Sequence, residues 1–248
     1  MRAALVVSEI SPDQEVNLAS ILKRTDEAAT AGAGIVLFPE AALTGLANDD
    51  DPVHDLPLGQ TIPGHLTDTL ARKARRHGIY LAIGLLEREQ NMLYDSAVLF
   101  SPAGDLILKY RRIDPRWHGR KADPAVYCQG SEMPVAETTL GTFAFAICGD
   151  LFNDDVVARL RDLRPQWLLY PFARGFNDYS WDQGRWDRSE KAEYLSRVKQ
   201  AGITTLMANS LAIEEMGGDF GGAMAVRGDG TVLAEHPLGK AGMVVIDI

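Results

Sequence analysis

Three polar positions stand where apolar runs end. Glu40 follows Ile35-Val36-Leu37-Phe38-Pro39, Cys148 closes Phe143-Ala144-Phe145-Ala146-Ile147, and Lys109-Tyr110-Arg111-Arg112 follows Leu106-Ile107-Leu108. An acid placed just beyond a buried strand is partly desolvated, which raises its proton affinity toward that of a useful base. A thiol at a strand-to-turn junction with glycine behind it, as in Cys148-Gly149-Asp150, is open to a substrate carbonyl. The amide N–H groups after such a cysteine can face a developing oxyanion. A cation turned inward from the basic run would complete a set for nucleophilic attack on a carbonyl or nitrile carbon. Each residue also has a plainer reading: a solvated carboxylate, a buried structural thiol, a charged sheet edge. Taken singly, the residues leave both readings open.

The elements around these positions alternate. Residues 3–9 read as a buried strand, and Ser11-Pro12-Asp13-Gln14 opens a helix that carries Leu18, Ile21, Leu22, Thr25, Ala28 and Ala29 at helical spacing. A helix is expected over 65–77, and strands over 79–86, 93–100 and 106–108. Residues 113–130 have no period and read as a long surface loop. Asn153 can cap a helix to about 163, residues 167–170 form a strand, and Asp187 with Glu190 can cap a helix to about 201. Strands near 203–209, 223–227, 231–235 and 243–247 follow, the middle pair joined at Gly228-Asp229-Gly230. Strand–helix alternation with some hairpin-length connections argues for a mixed α/β fold of layered sheets. No boundary divides the chain, so a single domain over 1–248 is expected.

Composition excludes several classes. With 25 Lys and Arg against 34 Asp and Glu, the net charge is −9 and no basic stripe is present, which speaks against nucleic acid and anionic membrane surfaces as partners. No run reaches the ~20 apolar residues of a membrane span. Met1-Arg2 leads into an apolar stretch too short for a secretory signal. Only two cysteines occur, Cys128 and Cys148, too few for a disulfide framework, so a cytoplasmic protein with reduced thiols is expected. His54, His65, His77, His118 and His236 lack zinc-like spacing, and Asp49-Asp50-Asp51 lacks the pattern of a calcium loop, so no metal is expected. A Cys-His hydrolase with His118 as base finds no local signature around Cys148.

Together the three segments resemble the nitrilase superfamily, the carbon–nitrogen hydrolases that use a Glu-Lys-Cys set. Phe38-Pro39-Glu40 with Thr44-Gly45, Gly104 to Arg112, and Cys148-Gly149-Asp150 with Phe152 are similar to its three motifs. Gly78 to Gly84, Tyr94-Asp95-Ser96-Ala97, Ala208-Asn209 and Gly221-Gly222-Ala223-Met224 fall where similar segments lie. The resemblance implies a four-layer αββα sandwich, dimers, no cofactor, and Glu40 and Cys148 as base and nucleophile. It implies a small-molecule substrate, an amide, ureido or nitrile-like compound opened through a Cys148 acyl-thioester, with Gly149 N–H as an oxyanion donor. The family lysine is replaced by Arg112, which keeps the charge but cannot shuttle a proton. Lys109 lies three positions away, on the opposite face of a strand. The acid that orients the lysine in relatives falls on Asp123, seven residues before Gly130, so an Arg112–Asp123 pair is expected. Beyond the strand after Cys148, Arg174 could take a substrate carboxylate, and Trp181 or Trp186 could wall the pocket. The change at 112 also supports a different class, a catalytically silent scaffold that keeps the fold and binds a small molecule or partner.

Overall fold

The computed structural model describes residues 1–213 and 218–248. Among these residues twelve strands form two six-stranded sheets. The first holds β1 (Arg2–Val7), β2 (Ile35–Leu37), β3 (Tyr80–Glu89), β4 (Met92–Phe100), β5 (Leu106–Arg111) and β12 (Gly242–Asp247), in the order β12-β1-β2-β3-β4-β5. The second holds β6 (Ala136–Thr138), β7 (Gly141–Phe145), β8 (Trp167–Phe172), β9 (Thr204–Asn209), β10 (Gly221–Val226) and β11 (Val232–Leu238), in the order β6-β7-β8-β9-β10-β11. The two repeat one plan. An antiparallel edge strand is followed by three parallel strands joined through helices, and then by two antiparallel hairpin strands.

Alternation along each strand sorts side chains between two cores. In the first sheet Ala3, Leu5, Val7, Ile35, Leu37, Ala82, Ala97, Leu99, Leu108 and Tyr110 face the second sheet, forming the central core. Their neighbours Ala4, Val6, Val36, Leu81, Ile83, Leu85, Val98 and Phe100 face outward, against α1 (Gln14–Thr30) and α3 (His65–His77) through Ile21, Ala28, Leu66, Leu70 and Ala74. On the other side α4 (Asp154–Leu163) and α6 (Lys191–Ala201) cover the second sheet with Val156, Val157, Leu160, Tyr194 and Val198. Helices outside and two sheets inside give the four-layer αββα sandwich that the resemblance implied.

Several details differ from the sequence reading. The helix placed at Asp187 begins earlier: Asp182 caps α5 (Gln183–Arg185) by accepting from Arg185 N–H, and one wide turn, Trp186–Glu190, carries it into α6. Asp51 accepts from Val53 N–H at the start of α2 (Pro52–Asp55), a one-turn helix that the sequence reading did not place, directly after the acidic run. The three-residue β6 has too little period to read, and its Ala136 pairs with Phe143 at the sheet edge. The long loop over 113–130 holds no helix or strand.

Candidate active site

Parallel strands leave their C-terminal ends free of a tight turn, and side chains collect there. β2 runs out through Phe38-Pro39 to Glu40. Phe38 N–H donates to Ala82 and Ala42 N–H to Gly84, so this segment stays beside β3 after the strand ends. Gly84 makes that approach possible, because a Cβ there would lie 2.5 Å from Glu40 Cα. Glu40 itself is fully buried.

β7 ends three residues before Cys148, which begins the short 3-10 turn Cys148–Phe152 with φ +42, a left-handed conformation unusual for a non-glycine residue. Asp150 holds this turn. Its carboxylate accepts from Tyr110 Oη–H at 2.7 Å, Ile147 N–H at 3.0 Å, Asp114 N–H at 2.8 Å and Ile113 N–H at 3.1 Å, which ties the cysteine turn to the end of β5. Tyr170 Oη–H donates to Cys148 O at 2.7 Å, and the thiol rests 3.7 Å from Ala173 O. No backbone carbonyl among the described residues accepts from Gly149 N–H, which as part of the first turn points away from the helix body.

Alternation on β5 turns Leu108, Tyr110 and then Arg112 inward, while Lys109 and Arg111 turn outward to share the carboxylate of Glu87 at 2.7 and 2.6 Å. Arg112 N–H donates to Asp95 O, so strand register sets the two residues side by side. The guanidinium is 2% exposed. Its Nη1 donates to Glu40 Oε1 at 2.8 Å and to Asp95 Oδ2 at 3.2 Å, and Nη2 lies 3.5 Å from Asp114 Oδ1. A Cβ on Gly149 would sit 2.5 Å from Arg112 Nη2 and 2.6 Å from Asp114 Oδ1, so the guanidinium packs directly on the backbone beside the thiol. Burial opposes charge on Arg112, but the neighbouring Cys148, Glu40 and Asp95 outweigh it and hold the group ionised. Burial raises Glu40 well above the usual carboxylate range. The neighbouring charges of Cys148 and Asp95 add to this, and Arg112 opposes it.

These groups meet at a cleft of about 380 Å³ lined by Arg112, Arg116, Cys148, Gly149, Arg174 and Glu190 together with Phe152, Glu193 and Tyr194. Arg174 follows β8, and its guanidinium pairs with Glu190 at 3.1 and 3.2 Å. Two sequence expectations are corrected. Asp123 is exposed in the loop and caps a local turn by accepting from Ala125 N–H; the carboxylates around Arg112 are those of Glu40, Asp95 and Asp114. Trp181 stands 45% exposed against Gly239, beside a different groove with Ile10, Pro12 and Ile213. Trp186 is core, its ring 5.1 Å from Tyr194 and 5.3 Å from Phe220. The aromatic wall of the cleft is Phe152 on Tyr194, edge to face at 4.9 Å.

Asp95, Asp114 and Arg116 had no place among the sequence candidates. Arg116 clamps Asp114 with two bonds of 2.8 and 2.9 Å and reaches Gly149 O. Burial works against the Asp114 charge, but the bonds from Arg116 hold its carboxyl below the ordinary range. Asp95 did carry a signal: an acid within β4, where eight of nine residues are buried. The cluster with metal-ligand spacing among the described residues is Asp49, His54 and Asp55, none of which lines the cleft. Asp55 there accepts from Asp49 N–H, Asp50 N–H and Tyr127 Oη–H and pairs with His54, so it serves as a staple between loops.

A model of the carbon–nitrogen hydrolase family matches residues 2–248. The chain belongs to that family. Among solved structures, this carbon–nitrogen hydrolase superposes on a carbon–nitrogen hydrolase from Helicobacter pylori G27 with a TM-score of 0.84 at 16% identity, covering 99% of this chain and 87% of that one. An amidase from Nesterenkonia sp. AN1 gives a TM-score of 0.82 at 22% identity over 100% of this chain and 93% of the other, and that structure shows Michael addition of acrylamide at its active-site cysteine. Among curated proteins, omega-amidase NIT2 of Xenopus tropicalis is 29% identical over 200 residues, 78% of this chain and 70% of its own length. A nitrilase from Paraburkholderia phymatum is 28% identical over 168 residues, 62% of this chain. The matched stretch spans about half of that nitrilase, 48%. Among the described residues no helix is long and apolar enough to cross a membrane.

Proposed function

We propose that this carbon–nitrogen hydrolase is a single-domain thiol amidase that opens a small linear amide or carbamoyl compound through an acyl-thioester on Cys148. The observation that carries the reading is the foot of the cleft, where Cys148 opens on the cavity with the Arg112 guanidinium packed on Gly149 beside it and Glu40 joined to that guanidinium. Glu40 takes the thiol proton, Cys148 Sγ attacks the carbonyl carbon, and Gly149 N–H with Arg112 Nη2 receives the oxyanion. One well-placed donor of this kind is worth roughly 10²–10³ in rate. Glu40 then protonates the leaving nitrogen and activates water to open the thioester. The steps as written need no metal or organic cofactor. Arg112 thus stands where the family's lysine would, as a fixed cation. Adducts at the active-site cysteine of the Nesterenkonia amidase support the thiol chemistry.

Arg174 selects carboxylated substrates, exchanging its bond to Glu190 for one to the ligand; Arg174→Ala weakens such substrates far more than neutral ones, and an equal loss for both refutes this role. The free thiols Cys128 and Cys148 suit a cytoplasmic setting, the resemblance supports a homodimer, and the net charge of −9 speaks against nucleic-acid or anionic membrane partners. One observation favours the second reading, a silent scaffold: Nη1 of Arg112 is already spent on two acids. Intact-mass analysis after incubation with small amides and carbamoyl compounds separates the two. The amidase reading expects an acyl adduct on the native chain and none on Cys148→Ser, with Arg112→Lys slower. No adduct from any compound, or adducts that appear only in Arg112→Lys, refutes it.

A further inference from the structure

One cation, Arg112, faces two acids that solvent does not reach, for the side chains of Glu40 and Asp95 are both 0% exposed. Arg112 Nη1 serves one oxygen of each, and Glu40 Oε2 and Asp95 Oδ1 are left without a donor. The two carboxyl groups share that single nitrogen, Glu40 Oε1 at 2.8 Å and Asp95 Oδ2 at 3.2 Å. Among the described residues, nothing else nearby balances a second negative charge. From the loop after β5, Asp114 is clamped by Arg116; from the cysteine turn, Asp150 is occupied by Tyr110 and three backbone N–H groups; Cys148 and Tyr170 are neutral or negative in any state. Two ionised carboxylates against one guanidinium would leave a net buried negative charge, and like charges sharing a site resist ionising together.

Resting on the amidase reading, we propose that Asp95 is a positioning residue for Glu40: the two carboxyl groups hold one proton between them in the resting site, and Asp95 keeps Glu40 a competent base beside a guanidinium that never loses its charge. Facing Arg112 alone, Glu40 would be tied up as a simple ion pair and would take a proton weakly. Burial raises the proton affinity of Glu40 most, and the neighbouring Cys148 and then Asp95 raise it further. Burial raises Asp95 as well, although Glu40 and Arg112 pull against it.

The reactive form has lost the shared proton. As Cys148 Sγ bonds to the carbonyl carbon, the C–O π pair moves onto oxygen and the thiol proton passes to Glu40, where Asp95 shares it. That same proton goes to the leaving nitrogen as the C–N bond breaks, and the pair is ionised again. The acid side of Cys148 reactivity therefore reports the carboxyl pair.

The test is the rate of Cys148 alkylation by acrylamide, read by intact mass from about pH 4 to 9, in the native protein, Asp95→Asn and Asp95→Glu. Asp95→Asn moves the acid-side midpoint down by about one pH unit or more and lowers the plateau roughly tenfold, and Asp95→Glu restores much of both. A midpoint in Asp95→Asn that is unmoved, or moved upward, overturns the proposal. Alkylation needs no turnover, so the two readings fail separately. A shifted midpoint without any acyl adduct from amides sinks only the hydrolase, and normal acylation with an unmoved midpoint sinks only the carboxyl pair. If Asp95→Asn does not fold, the native protein labelled with ¹³C at aspartate and glutamate carboxyls decides. Asp95 and Glu40 titrating together supports the pair, and ordinary separate titration overturns it.

Discussion

Asp219 offers a stability measurement with a definite sign. Its carboxyl is 7% exposed, receives the hydroxyl of Ser210, and lies near Arg174. Burial pushes it up from 3.8 to about 6, against the pull of the Ser210 bond and the Arg174 charge. The folded state therefore binds this proton more tightly than the unfolded chain. The stabilisation is fully present below about pH 3.8 and is lost as the pH rises through about 6. A difference of about two units corresponds to ~3 kcal/mol at 1.36 kcal/mol per unit. Asp219→Asn keeps the volume and an acceptor for Ser210 but carries no charge at any pH. Urea unfolding of both proteins at about pH 4, 5, 6 and 7 isolates the group, since the other acids cancel in the difference. The variant matches the native protein or falls slightly below it near pH 4, and gains on it by ~2–3 kcal/mol by pH 7. A difference that stays flat, or one that closes as the pH rises, refutes the reasoning.

Other outcomes follow from contacts already described. Gly149→Ala places a methyl where Arg112 Nη2 and Asp114 Oδ1 already lie, at 2.5 and 2.6 Å. The displaced guanidinium lowers the Cys148 acylation rate by about 10²-fold or more, the value of a lost oxyanion donor; single-turnover kinetics near those of the native protein would exclude the placement. Glu87 is buried with Lys109, Arg111 and Ser96 as donors; burial raises its carboxyl, but these bonds prevail and hold it below 4.5. Glu87→Gln costs about 3 kcal/mol near neutral pH. The deficit narrows below about pH 4.5, where the native carboxylate begins to lose this stabilisation. Denaturant curves at the two pH values check both claims. Phe220, buried between Phe176 at 4.8 Å and Trp186 at 5.3 Å, loses about 3–5 kcal/mol as Phe220→Ala, read by the same curves.

The pattern of apolar runs set Glu40 and Cys148 at the ends of strands, and the resemblance then marked them as site candidates. Ile35-Val36-Leu37 and Phe143-Ala144-Phe145 are strands because parallel strands buried on both faces read as continuous apolar stretches. Glu40 and Cys148 follow because they are the first reactive groups past those runs. Alternation set Arg112 and Lys109 on opposite faces, and in the structure it is Arg112 that turns inward. Counting along the loop to Asp123 failed for a physical reason. Residues 113–130 have no regular rise, so a separation in sequence sets no distance in space. The acid that meets Arg112 from the side comes instead from β4, one strand over, through register that composition does not encode. Trp181 failed differently: a large aromatic ring is equally at home in a core, a cleft or an exposed rim, and only the packing chooses.

The strand plan has a consequence for how the chain is made. β12, the last of the twelve strands to be synthesised, pairs with β1, the first, from Arg2 with Asp247 to Val7 with Gly242. The second sheet draws on a continuous stretch of chain, whereas the first must wait for its outer strand until every other strand exists. Until β12 is made, β1 therefore presents an unpaired row of N–H and C=O groups, the kind of edge that recruits strands from other molecules. Slow supply of β12, or its loss, would be felt first as aggregation of nascent chains, before any effect on the thiol site some distance along the fold.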